Sequence, residues 1–117
     1  MSRAKDLWGI SMDKFSLQNF KGGWVIGNFS PSIFQHTYFE AGIKYFSPGD
    51  KEPSHAQKLA TEVTIIHEGC VRIGDVILNS GEILVIYPGE FADFEAIAAG
   101  SLTCIKFPSI PSDKILK

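Results

Sequence analysis

The sequence predicts an all-β fold, either a small sandwich or a closed barrel. Short apolar runs rich in β-branched and aromatic residues recur along most of the chain. Between them stand Gly, Pro, Asn and Asp residues, which tolerate a positive φ or fix a turn. No segment shows the apolar periodicity of a long helix. Short strands at regular spacing, separated by turn residues, are typical of β-sandwiches and β-barrels.

The predicted strands cover residues 39–46, 62–67, 71–73, 76–78, 83–87, 91–97 and 102–107. Gly74 and Asp75 separate two of them and predict a two-residue hairpin, while Gly100 and Ser101 predict another turn. The aromatic and glycine-rich segment 20–34 is expected to form an edge strand and a covering loop. We expect residues 1–11 to be an appended tail, residues 12–117 to be a single domain, and residues 112–117 to lie on the surface.

Composition narrows the class of protein. A chain of 117 residues is one domain by length and needs neither a disulfide nor a structural metal in order to fold. Its formal charge of −2 and scattered basic residues argue against nucleic-acid binding. No run approaches the roughly 18 apolar residues of a membrane span, and the N-terminal residues lack the apolar region of a secretion signal. With only two cysteines as well, the chain is predicted to be cytoplasmic.

One motif makes the fold prediction more specific. Gly49 is followed after five residues by His55, then Gln57, then after four residues by Glu62 and after six by Gly69. This spacing resembles the first motif of the cupins, in which a second histidine stands where this chain has Gln57. The resemblance covers residues 38–107 and implies a cupin-type barrel, also called a double-stranded β-helix or jelly roll. It also implies a site inside the barrel.

The spacing has a physical reason. Residues two apart on a strand face the same way, so His55 and Gln57 should both point into the barrel. A turn then returns the chain, and Glu62 on the next strand can reach the same point. Imidazole and carboxylate groups that converge in a cavity suit a divalent first-row metal with open coordination positions.

The second cupin motif is matched less fully. Gly81 and Gly89 keep its spacing, but Tyr87 replaces its proline and Ala92 its histidine. Asp93 follows immediately, and a one-residue bulge would turn its side chain inward. The predicted metal ligands are therefore His55, Gln57, Glu62 and Asp93. Gln57 is equally well explained as a hydrogen-bonding residue of the pocket, and Asp93 as a solvated strand residue.

Three further residues are candidates for the pocket. Lys44 shares a strand face with Phe46, so it could point inward and pair with Glu62 or hold an anionic ligand. A surface lysine is the usual alternative. Tyr38 and Tyr87 could bring hydroxyl groups to a ligand, although buried aromatic residues normally only pack.

The segments PGEFADFEA at 88–96 and GWVIGNF at 23–29 resemble a group of short cupins. That resemblance implies an association with nucleotide-sugar and surface-polysaccharide enzymes. The leading hypothesis is a metal-binding cupin that recognises or transforms a small polar molecule such as a sugar. If it is catalytic, Glu62 or Asp93 would act as the base of an isomerase or epimerase, and the metal or Lys44 would stabilise the oxyanion.

The residues alone leave two alternative functions open. The protein could be a non-catalytic binding module with a degenerate, metal-free site, which Gln57 and Ala92 favour. It could also be a metal-free enzyme that uses the lysine and the carboxylates. The resemblance further implies a homodimer.

Overall fold

Ten strands and two short 3₁₀ helices form the described part of the chain, which is residues 2–5 and 11–117 of a computed structural model. The 3₁₀ helices are Leu17–Asn19 and Lys21–Gly23. The strands are β1 Ser2–Lys5, β2 Ser11–Lys14, β3 Trp24–Ile26, β4 Glu40–Phe46, β5 Lys51–Gln57, β6 Thr61–Ile73, β7 Val76–Asn79, β8 Ile83–Ile86, β9 Ala92–Phe107 and β10 Lys114–Leu116.

Strands β3 to β10 form one curled antiparallel sheet, so the predicted all-β fold is confirmed. The long strands β6 and β9 pair with each other along most of their lengths. β9 also pairs with β4 and β5, while β6 also pairs with β7 and β8. Each of these two strands therefore changes partners along its length, and this curls the sheet around an interior.

The predicted turn at Gly100 and Ser101 is wrong, and two pairs of predicted strands are each one continuous strand. Residues 62–67 and 71–73 belong to the single strand β6, whose register shifts between Ile66 and Val71. The predicted strands 91–97 and 102–107 form the single strand β9, which begins at Ala92. Gly100 lies inside β9, where a Cβ atom would stand only 1.7 Å from the carbonyl oxygen of Glu68. This glycine permits close approach of two backbones and does not form a turn.

The predicted hairpin between β6 and β7 is confirmed. Ile73 pairs with Val76, and Gly74 between them has a φ of 57°, which favours glycine. β3 lies at one edge of the sheet beside β4, as expected for segment 20–34. Of the segment 112–117, expected on the surface, residues 114–116 are exposed but form the edge strand β10 along β5. The expectation is wrong for Asp113, which is buried because its carboxylate accepts hydrogen bonds from backbone N–H groups.

β1 pairs with β2 in a separate two-stranded sheet. Ser11–Lys14 therefore pairs with Ser2–Lys5, which belongs to the segment expected to be a tail. Residues 6–10 of that segment lie outside the described residues. The boundaries of a tail at 1–11 and of a single domain at 12–117 stay predictions. Among the residues described, no helix is long and apolar enough to cross a membrane.

The hydrophobic core fills one end of the curled sheet. Its buried members alternate along the strands and are Phe46, Ile66, Val71, Ile73, Leu78, Phe94, Ala96 and Leu102. Ile66 and Val71 are fully buried, and each such side chain contributes about 1.5–3 kcal/mol of hydrophobic stabilisation. Ile73, Phe94 and Leu102 also line a cavity, so one face of the core is the floor of that cavity.

Candidate functional site

A cavity of about 550 Å³ opens on the inner face of the sheet, next to the core. Strands β4, β5, β6, β8 and β9 all contribute inward-facing side chains to its lining. Along β9 the lining residues Ala92, Phe94, Leu102, Cys104 and Lys106 alternate with outward-facing ones as the pleat requires, and Asp93 also borders the cavity. The core end of the cavity is apolar, and the wall above the floor carries charged and amide groups.

A bulge in β5 decides which of its residues face the cavity. Glu52 pairs with Phe94 and His55 pairs with Ala92, so β5 holds one more residue than β9 over this interval. The extra residue lets both Glu52 and His55 line the cavity, followed by Gln57. The structure thus places His55 and Gln57 on one wall, together with Glu52, which the sequence did not single out.

Gln57 is the most deeply buried polar group on this wall, with 5% of its surface exposed. Its amide nitrogen is buried and has no hydrogen-bond partner within the described part of the chain. Most buried polar atoms in proteins have a partner, and an unsatisfied one costs about 1–3 kcal/mol. The Gln57 amide nitrogen is therefore an unsatisfied buried donor in a residue that lines the cavity.

Glu62 and Lys106 face each other across the pair of strands β6 and β9. Their side chains are 13% and 17% exposed, and Glu62 Oε1 lies 3.9 Å from Lys106 Nζ. This distance is too long for a hydrogen bond. Thr64 approaches the other carboxylate oxygen at 3.5 Å. Lys106 Nζ also lies 4.8 Å from the centroid of the Trp24 ring, which holds it by a cation–π contact.

Cys104 lies beside this pair and lines the same cavity. Burial raises the pKa of its thiol strongly, and the negative charge of Glu62 raises that pKa further. Since the thiolate is the nucleophilic form, Cys104 is a neutral wall residue at physiological pH.

Lys44 faces the cavity from β4, but it pairs with Glu52 and not with Glu62. The two form a direct hydrogen-bonded ion pair, and Lys44 Nζ lies 4.4 Å from the centroid of the Phe94 ring. Burial opposes the charge of Glu52, but the hydrogen bond and charge of Lys44 outweigh it, so the pKa of Glu52 is lowered. The predicted Lys44–Glu62 pair is thus wrong.

Asp93 does not join the other predicted metal ligands. Its two carboxylate oxygens accept hydrogen bonds of 2.8 and 2.9 Å from the guanidinium of Arg72. Arg72 also contacts Glu95, which lies two residues further along β9 on the same face as Asp93. The hydrogen bonds from Arg72 lower the pKa of Asp93. The bulge is in β5, opposite Asp93, and not in β9 as expected. Alternation along β9 therefore puts the Asp93 side chain on the face opposite to Ala92 and Phe94, although Asp93 still borders the cavity.

The two tyrosines also lie elsewhere. The exposed fraction is 80% for Tyr38 and 59% for Tyr87, and neither lines the cavity. Tyr38 lies in a segment that precedes β4, where its ring contacts that of His36. Tyr87 follows the last residue of β8, at the turn that leads to β9. The prediction that these hydroxyl groups line the pocket is wrong.

Comparisons with known proteins address the fold. No family model and no curated protein matches the chain. Among solved structures, an RmlC-like cupin from Shewanella frigidimarina has a TM-score of 0.58 and 20% identity over 65% of this chain and 71% of that one. A protein with a double-stranded β-helix domain from Klebsiella pneumoniae has a TM-score of 0.63 and 14% identity, covering 90% of this chain and 96% of that one.

This chain has the cupin fold. A third solved structure, a sugar phosphate isomerase of the cupin superfamily from Silicibacter pomeroyi, has a TM-score of 0.56 and 16% identity. It is matched over 62% of this chain and 52% of its own length. At these identities the likeness extends to the fold alone.

The residues present do not fit the metal centre that the cupin motif implies. Within residues 2–5 and 11–117, no three His, Cys, Asp or Glu side chains lie close enough together to hold a metal ion. His55 brings one imidazole, whose Nδ1 lies 3.0 Å from the Pro53 carbonyl oxygen. Asp93 is held by Arg72, and Glu62 has Lys106 beside it. A cation ligand set of His55, Gln57, Glu62 and Asp93 is therefore not assembled.

The cavity also contains candidate functional residues that the sequence pattern did not identify. Lys106 was predictable, because alternation from Leu102 through Cys104 turns it inward on β9. Glu52 was not, since simple alternation puts it on the face opposite to His55 and only the bulge brings both inward. Trp24 comes from an edge strand and packs on Gly42, where a Cβ atom would stand 2.7 Å from the ring.

Proposed function

We propose that this cupin binds a small polar molecule in its cavity through direct contacts with side chains, without a metal ion. The observation that carries this proposal is the buried amide nitrogen of Gln57, which lacks a hydrogen-bond partner in the described chain. Gln57 replaces the second histidine of the cupin motif, so an amide donor stands where the motif has a metal ligand. The proposed ligand is a sugar or a sugar derivative.

Other groups on the wall support direct recognition. Glu62 offers carboxylate oxygens and Lys106 offers an ammonium group, and neither forms a hydrogen bond to the other at their separation of 3.9 Å. Sites for small molecules combine an apolar lining with a few such polar groups that fix orientation. Here Ile73, Phe94 and Leu102 supply the apolar floor.

Calorimetric titration with a panel of monosaccharides and their phosphates, acids and amines tests the proposal. We expect binding to persist in the presence of EDTA and to be lost in Gln57→Leu. Gln35→Leu is the matched control, because Gln35 is exposed and outside the cavity. Absence of binding across the whole panel, or binding that requires an added metal, would contradict the proposal.

Glu62 also supports a second candidate, a metal-free enzyme that moves a proton on the bound molecule. Its carboxylate is largely buried on the cavity wall and has Lys106 as the nearest cation. In this version Glu62 is the general base and Lys106 stabilises the developing oxyanion. Neither Asp93 nor Lys44 has that role, since each is already paired. Proton NMR of each ligand incubated with protein in D₂O would detect exchange at a carbon atom.

Assembly into a homodimer and a cytoplasmic location stay predictions. Sedimentation of the purified protein is the direct measurement of the first.

A further inference from the structure

The charged side chains that face the cavity come in opposite pairs. Lys44 is hydrogen-bonded to Glu52, and Lys106 faces Glu62. Asp93, at the margin, is held by Arg72. Exposed Lys114 and Glu90 add one charge of each sign to the lining. The two lysines of the inner wall, Lys44 and Lys106, therefore each have a carboxylate beside them, whereas Lys114 is exposed on the edge strand β10.

This pairing opposes an anionic ligand. A phosphate or carboxylate group bound to Lys106 Nζ would also lie close to Glu62, which is 3.9 Å from that nitrogen. Because Glu62 is 13% exposed, water screens the repulsion only weakly. Lys44 offers no alternative, since its ammonium group is already bonded to Glu52 and lies over the Phe94 ring. A cationic ligand bound to either glutamate would likewise be repelled by the lysine of the same pair.

A hydroxyl group fits the same wall well. Lys106 Nζ and Glu62 Oε1 are 3.9 Å apart, which is too far for a direct hydrogen bond. A ligand hydroxyl can bridge them, because it can accept a hydrogen bond from Lys106 and donate one to Glu62. A second hydroxyl or ether oxygen on the same molecule can accept from the Gln57 amide. We propose that the ligand of this cavity is an uncharged polyhydroxylated molecule, a free sugar or polyol, and that the Glu62–Lys106 pair excludes its phosphorylated and acidic derivatives. This inference rests on the proposed function and specifies its ligand class.

Matched ligands test the exclusion. Each free sugar or polyol that binds is compared by calorimetry with its own phosphate ester and its own acid, for example glucose with glucose 6-phosphate and gluconate. We expect each charged derivative to bind at least tenfold more weakly. If the charged derivatives bind equally well or more tightly, and Gln57→Leu abolishes that binding, the proposed function survives and the exclusion is wrong. If neither class binds, both fail.

The variant Glu62→Gln gives an independent result. It leaves Lys106 in the cavity without its carboxylate, so we expect at least a tenfold loss of affinity for the free sugar and a gain for its phosphate. Lys106→Met should lower the affinity for both the free sugar and its phosphate. Glu68→Gln, an exposed glutamate outside the cavity, controls for the change in net charge. Far-ultraviolet circular dichroism and melting temperatures identify folded variants. If the folded Glu62→Gln protein prefers the free sugar over its phosphate as strongly as the wild type does, the inference is wrong.

Discussion

The carboxylate of Asp113 accepts a hydrogen bond of 2.9 Å from the backbone N–H of Ala60, which lies 53 residues earlier in the chain. It also accepts from the N–H of Leu59 at 3.0 Å, while the Asp113 carbonyl accepts from the N–H of Lys58. These three amides form the turn between β5 and β6. The C-terminal segment therefore fixes the turn that separates Gln57 from Glu62.

We expect Asp113→Ala to destabilise the protein by about 2–3 kcal/mol, because the variant leaves buried turn amides without their charged acceptor. Urea unfolding measures this loss. Asp113→Asn keeps one acceptor oxygen and should lose less. The affinity for the cavity ligand should fall in both variants. If Asp113→Ala unfolds at the same urea concentration as the wild type, the turn does not depend on this carboxylate.

Gly100→Ala should destabilise the protein by about 3 kcal/mol, since its Cβ atom would stand 1.7 Å from the Glu68 carbonyl oxygen. The nearest atoms are backbone, so only a displacement of β6 from β9 can relieve the contact. Ala99→Ser, at an exposed neighbouring position, is the matched control and should melt like the wild type. Equal melting temperatures for the two variants would contradict the close approach of these strands.

The Lys44–Glu52 pair predicts a dependence of stability on pH. Lys44 holds the pKa of Glu52 below its ordinary value, so the pair stabilises the fold above the unfolded pKa of Glu. That stabilisation disappears as the pH falls through the folded pKa. Lys44→Met should therefore lower the free energy of unfolding at pH 7 by no more than about 1 kcal/mol, because the pair is partly exposed.

The same variant should differ less from the wild type at pH 3 than at pH 7, because Glu52 takes up a proton as the pH falls through its lowered folded pKa. Urea denaturation at the two pH values measures the difference. Lys44→Arg keeps the charge and serves as the control. A loss of equal size at pH 7 and pH 3 would show that Lys44 stabilises by packing on Phe94 and not by its charge.

Alkylation at Cys104 reports on Glu62. Because burial and the Glu62 charge raise the pKa of this thiol, N-ethylmaleimide at pH 8 should modify Cys104 far more slowly in the folded protein than in urea. Mass spectrometry of peptides gives the rate at each cysteine. In Glu62→Gln the rate should rise in the folded state, while the rate at Cys70 should stay the same. Rapid modification of Cys104 in the wild type would place this thiol outside the cavity.

The all-β fold could be predicted because strands and turns are marked by residues that are adjacent in the sequence. Turn residues such as Gly74 and Asp75 mark a hairpin wherever they stand between strand-like runs. The cavity was predictable only in part. His55, Gln57 and Glu62 follow the motif spacing and line the cavity, but Asp93 lies at the cavity margin, where Arg72 binds its carboxylate. Sequence alternation cannot locate a bulge, and it cannot choose the carboxylate with which a lysine pairs.

The partners of β9 have a consequence for synthesis on the ribosome. β9 spans Ala92–Phe107 and pairs with β4, β5 and β6, all of which are translated before it. Until β9 leaves the exit tunnel, β4 has only the short strand β3 beside it, and the inner residues of β6 lack the apolar cover of Phe94 and Leu102. The nascent chain therefore exposes unpaired strand edges through most of its synthesis, which is when such chains associate with chaperones or with one another.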